Sequence, residues 1–155
     1  MYHYKESGLS NVYLTNGYRE VVTPYGRSVV IEDVEGLHAA LATTMVIERQ
    51  HLTGREVRFI RKFLNLTQAQ LANLLGVEEQ SVRRWEKLSR VPKAADHSVR
   101  LIFLDSRRPK HPKLPQMAQI VEKVDNAATE PQDVRARYRS RAKADPWVSE
   151  FAAAA

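Results

Sequence analysis

Apolar and polar positions come in short extended bursts over the first third of the chain and then settle into a helical period. Val12, Tyr13 and Leu14 form one burst, Tyr18 to Val22 a second, and Val29 to Ile31 a third. Asn16-Gly17, between the first two, suits the positive φ angles of a tight hairpin turn, and Thr23-Pro24-Tyr25-Gly26 is a second turn signal. From Gly36 onward Leu37, Leu41, Met45 and Val46 share one helical face. The pattern predicts a small antiparallel β module with one short helix over residues 1–50. Tyr13, Tyr18 and Tyr25 are its candidate apolar support.

Beyond residue 50 the period is helical throughout. Thr53 and Glu56 have capping-box spacing, with Leu52 and Val57 placed as a hydrophobic staple, and Val57, Phe59, Ile60, Phe63 and Leu64 form the inward stripe. Thr67 and Gln70 repeat the capping spacing and open a second helix that runs to Leu75, where Gly76 turns the chain. A third helix is predicted from about Glu79 to Lys87. A fourth follows from about Ala94 to Ser106, with Val99, Ile102 and Phe103 inward. The segment RRPKHPKLP breaks the pattern, and Leu114, Met117, Val121 and Val124 mark one more helix. From Asn126 the chain is polar and rich in small residues, as in a partly disordered or loosely helical tail. The fold class expected is α+β: the β module at 1–50, an all-α five-helix domain at 51–125, and a basic, alanine-rich tail at 126–155.

Composition narrows the field of functions. A 155-residue chain that is 43% hydrophobic and 27% charged has the balance of a globular protein. No cysteine is present, so neither disulfides nor thiolate metal sites arise. The five histidines, at 3, 38, 51, 97 and 111, have no pair at helical ligand spacing, so no metal or cofactor is expected. The first ten residues lack the layout of a secretory signal, and no apolar run is long enough to span a bilayer, which points to the cytoplasm and away from membranes. Charge is uneven: residues 51–110 carry thirteen Lys/Arg against six Asp/Glu, an excess of seven that the rest of the chain trims to the net +6. A positive field concentrated in one segment attracts phosphate polyanions.

The informative stretch is LTQAQLANLLGVEEQSVRRWEKLSRVP, from Leu66 to Pro92. It reads as two short helices joined at Gly76-Val77, with Leu71, Leu74 and Leu75 on the inner face of the first and Val82 and Trp85 on that of the second. Gln80, Ser81, Arg83, Arg84 and Lys87 then face outward. Arginine matches guanine O6 and N7 with two donors, and glutamine matches adenine N6 and N7. The stretch resembles the Xre/Cro-type helix-turn-helix through Leu66, Thr67, Gln68, Leu71, Ala72, Leu75, Gly76, Val77, Val82, Trp85, Glu86 and Lys87. Over about residues 1–125 the layout is more loosely similar to MqsA-type antitoxins. It departs from them in lacking the cysteines of their zinc site and in having Leu88 where that family has glycine, so the third helix should either run on or end differently.

The resemblance implies a sequence-specific, double-stranded DNA-binding regulator, a homodimeric and autoregulatory repressor on an inverted repeat, with the 79–87 helix in the major groove. It implies Gln80 and Arg84 as base readers, with Arg83 and Ser81 beside them. Gln68 and Thr67 are implied as backbone contacts, joined by Lys87, Arg90 and Lys93 as phosphate clamps. The helix after Pro115, the face around Phe103 and the N-terminal sheet are the candidate dimer surfaces. The alternative is an antitoxin of a type II pair that neutralises a protein toxin and represses its own operon. An enzyme is not expected, since no paired carboxylates, nucleophile motif or phosphate loop is found. The arginines between 135 and 141, with Lys143, read as a solvated tail.

Overall fold

A computed structural model describes residues 1–107 and the backbone of two strands at 136–139 and 148–151. The chain is α+β: short strands β1 (Tyr2–His3), β2 (Val12–Leu14), β3 (Tyr18–Thr23) and β4 (Gly26–Ile31) precede five helices. These are α1 (Val34–Glu48), α2 (Gly54–Phe63), α3 (Gln68–Leu75), α4 (Glu79–Trp85) and α5 (Lys93–Ser106), and strands β5 (Ala136–Arg139) and β6 (Val148–Phe151) follow. Two compact units arise, one of residues 1–41 with 132–155 and the other of 42–131. The expected break at 107–115 and the helix at 114–124 lie outside the described residues.

In the first unit, β1, β2, β5 and β6 form one sheet in that order, and β3 and β4 form a separate pair. β2 runs parallel to β5, with Val12 opposite Ala136, so the sheet is mixed rather than antiparallel. The segments 136–139 and 148–151, read from sequence as part of a loose tail, are therefore strands of the N-terminal sheet. Composition misses this because β2 supplies the backbone partners from the far end of the chain. Asn16-Gly17 does not close a hairpin either: Gly17 takes φ +73° but Asn16 stays at negative φ, and β2 and β3 do not pair. The hairpin forms at the next turn instead, where Thr23 lies opposite Gly26 and the Thr23 hydroxyl donates to the Gly26 carbonyl.

Tyr4, Leu9, Val12, Leu14, Leu37 and Leu41 make the buried apolar set of this unit. Tyr25 is fully exposed and gives the module no support, while Tyr13 and Tyr18 are half-buried and lie against the His3 and Tyr2 rings. Tyr4 is the buried tyrosine, and its hydroxyl shares a 2.8 Å hydrogen bond with His38 Nε2. Burial pushes the Tyr4 phenol up and the His38 imidazole down from their ordinary values, because both ionised forms lose water.

The second unit follows the sequence closely. Both capping boxes form. The Glu56 amide donates to Thr53 Oγ1 while the Thr53 amide donates to the Glu56 carboxylate, and Thr67 and Gln70 repeat the exchange. Each box satisfies two donors that a helix start leaves without acceptors. Asn65, at φ +56°, ends α2, and Gly76, at φ +66°, ends α3. Leu52, Val57, Ile60, Leu71, Val82, Val99 and Phe103 are almost wholly buried, and the Phe63 and Phe103 rings lie 5.9 Å apart. The face around Phe103, a candidate dimer surface by sequence, is thus interior at that residue.

Two of the ion pairs in this unit are buried at both partners. Arg100 and Asp96 are both inaccessible; the Asp96 carboxylate accepts hydrogen bonds from Arg100 Nε and from the Leu52 amide, and Arg100 Nη1 donates to the carbonyls of Val46 and Arg49. Arg61 makes a two-point contact with Glu86 and also donates to the Leu66 carbonyl. Such pairs tie chain segments together, since neither partner tolerates loss of the other once buried.

Candidate nucleic-acid interface

The α3–α4 pair is positioned from behind. Leu71 and Ala72 of α3 and Val82 of α4 are buried, and the Val77 amide donates to the Ala72 carbonyl across the Gly76 turn. Leu74, expected to face inward, is 60% exposed, and Leu75 and Trp85 are half-buried. The eight residues of α3 present a narrower inner face than three leucines would need, and Ala72 takes the place given to Leu74. Glu86, just past α4, is the buried anchor: its carboxylate accepts from Arg61 and from Gln68 Nε2, at 2.8 Å.

α4 ends at Trp85, with Glu86 as its C-cap. The Lys87 and Leu88 amides close back on Arg84 and Trp85, with no residue at positive φ, and the Leu88 carbonyl accepts from Gly54. Leucine resists the left-handed conformation that glycine would take, so the chain leaves α4 through short turns instead.

Each residue singled out from sequence can now be placed. Gln80 and Arg84 are exposed on α4 and Lys87 just past its end, and none of the three side chains has a hydrogen bond or ion pair among the described residues. Arg83 is exposed but engaged: its Nη2 lies 2.7 Å from Glu79 Oε1 and its Nε donates to Gln68 Oε1 at 3.5 Å. Ser81 is half-buried. Thr67 is exposed with its hydroxyl oxygen occupied as the α3 cap, and Gln68 is half-buried between Glu86 and Arg83. Arg90 and Lys93 are exposed and make other contacts. α4, the turn and the start of α3 thus bring together Gln68, Gln80, Arg83, Arg84 and Lys87.

One cation was missed by sequence. Arg58, exposed on α2, lines a shallow groove with Arg61, Thr67, Gln68, Ala69 and Glu79 at the start of α3. Its only sequence signal is its place on the polar face of α2, shared by every solvated arginine. Gln68 and Ala69, the first residues of α3, line the same groove, and helix geometry leaves their amides without intrahelical acceptors. Of the two arginines, Arg61 is buried and paired with Glu86, and Glu79 lines the same groove, so Arg58 is the exposed cation beside this helix start.

No helix among the described residues is long and apolar enough to cross a membrane. Comparison of the chain with family models, with curated proteins and with solved structures finds no match. The likeness to the Xre/Cro pattern therefore rests on residues 66–87 alone.

Proposed function

We propose that this chain is a sequence-specific, double-stranded DNA-binding transcriptional regulator whose α3–α4 pair is a helix-turn-helix of the Xre/Cro kind. The observation that carries the reading is α4 itself. Its rear is locked by buried Val82 and by the Arg61–Glu86–Gln68 cluster that follows it, while the side chains of Gln80, Arg84 and Lys87 stand in solvent without partners among the described residues. A short helix held rigidly with polar and cationic side chains outward is what the major groove admits.

In this reading Gln80 and Arg84 read base edges, with Ser81 at the margin. Lys87, Arg90, Lys93, Arg58 and the start of α3 at Thr67 and Gln68 hold phosphates, which position the protein without specifying sequence. A single domain makes few base contacts, so the chain acts as a homodimer on an inverted repeat and represses its own promoter. The test is selection of bound duplexes from a random pool followed by footprinting. A symmetric pair of half-sites centred about one helical turn apart supports the reading. Recovery of no preferred sequence, or a footprint unchanged by Arg84→Ala, overturns it.

A further inference from the structure

Arg83 lies among the outward positions of α4 yet is not free. Its guanidinium is clasped between the Glu79 carboxylate, one turn earlier at 2.7 Å, and the side-chain oxygen of Gln68 at 3.5 Å. Gln68 cannot easily turn away, because its nitrogen donates to the buried Glu86 carboxylate, itself gripped by Arg61. That bond fixes which end of the amide faces Arg83. Glu79 by contrast has no buried anchor: both it and Arg83 have nearly half of their side chains in water.

We infer that Glu79 is a positioning residue that sets discrimination between DNA sequences, by holding Arg83 back from indiscriminate contact with phosphate. This rests on the DNA-binding reading above. A guanidinium already paired with a carboxylate neutralises no phosphate, so non-specific binding forfeits one counterion release. An exposed pair of this kind couples weakly, by up to about fivefold in an equilibrium constant. A base edge with two well-placed acceptors, such as guanine O6 and N7, outcompetes so weak a partner, whereas a single solvated phosphate gains little by displacing it. Glu79 therefore penalises wrong sites more than right ones.

The experiment compares wild type, Glu79→Gln, Arg83→Gln and the double variant. Each is measured as full-length protein on a duplex selected by the wild type and on a random-sequence duplex of the same length, across a salt series. Glu79→Gln should tighten binding to the random duplex by about three- to fivefold and steepen its salt dependence by about one counterion. Binding to the selected duplex should change less than about threefold, so that the ratio between the two falls. The double variant should lose the gain, because no released Arg83 remains to produce it. If Glu79→Gln leaves the random-duplex affinity and salt slope unchanged, or if the double variant keeps the gain, Glu79 does not act through Arg83 and the inference is overturned while the DNA-binding reading stands. If wild type itself shows no salt-dependent binding to any duplex, both fall together. Circular dichroism of each variant separates these outcomes from misfolding, and a folded Glu79→Asp variant, too short to span the clasp, should repeat the Glu79→Gln result.

Discussion

Gly54, the first residue of α2, abuts the backbone of Trp85 at the end of α4: a β-carbon there would lie 2.3 Å from the Trp85 carbonyl oxygen and 2.5 Å from the carbonyl carbon of Glu86. The Gly54 amide completes the approach by donating to Leu88. The helix proposed to enter DNA is thus seated directly on the capped start of α2, and the seat exists only because residue 54 has no side chain. Backbone cannot yield as a flexible side chain does. Gly54→Ala should cost about 3 kcal/mol of stability and displace the end of α4. Gly76→Ala, at φ +66° but with open space around the missing β-carbon, should cost about 1 kcal/mol from backbone strain alone. Urea midpoints of the two variants give the order, and a Gly76 variant the less stable of the two contradicts the packing argument.

The pair formed by Asp96 and Arg100 predicts a second large effect. Asp96→Ala leaves a buried guanidinium without its counter-charge and the Leu52 amide without its acceptor, at a cost of about 3–5 kcal/mol. Replacing both residues with apolar ones should not restore full stability here, because the Val46 and Arg49 carbonyls also lose their donor. Thermal unfolding of the single and double variants measures both costs. A double variant as stable as wild type would show that those carbonyls find other partners.

Stability should fall on mild acidification. His38 is held below its ordinary value of 6.5 by burial, and His51 is held below 6.5 by burial and then by the nearby charge of Arg90. A histidine whose folded value is depressed contributes stability that is present above about 6.5 and is lost as the pH falls through the folded value, because the unfolded chain takes up the proton first. Chemical denaturation at several pH values below about 6.5 should therefore show declining stability, with a shallower decline in His38→Gln and in His51→Gln. An unchanged slope in both variants would assign the decline to carboxylates instead.

On the selected duplex, Gln80→Ala and Arg84→Ala should each weaken binding by about 1–3 kcal/mol and relax the base preference at one position of each half-site. Lys87→Ala and Arg58→Ala should weaken all duplexes evenly and lower the salt slope by about one each. Binding assays on single-base variants of the duplex separate the two behaviours. An even loss on Arg84→Ala would move that residue to the backbone class.

The sequence by itself determined the helices from 54 to 106, both capping boxes, the stop at Gly76 and the outward side of α4. Each of these is decided within a turn or two of chain: a threonine bonds three residues ahead, a glycine adopts its own φ, and apolar side chains recur every three or four positions. Tertiary structure alone decided the rest. It placed 136–139 beside β2, left Asn16-Gly17 without a hairpin, exposed Leu74 and Tyr25, occupied Arg83 with Glu79 and Gln68, and set Gly54 against Trp85. These outcomes depend on which distant segments meet, and the energy of such a meeting belongs to a pair of residues whose separation along the chain carries no periodic signal. A local pattern can state what a residue offers, but the partner that accepts it is chosen only when the chain has closed.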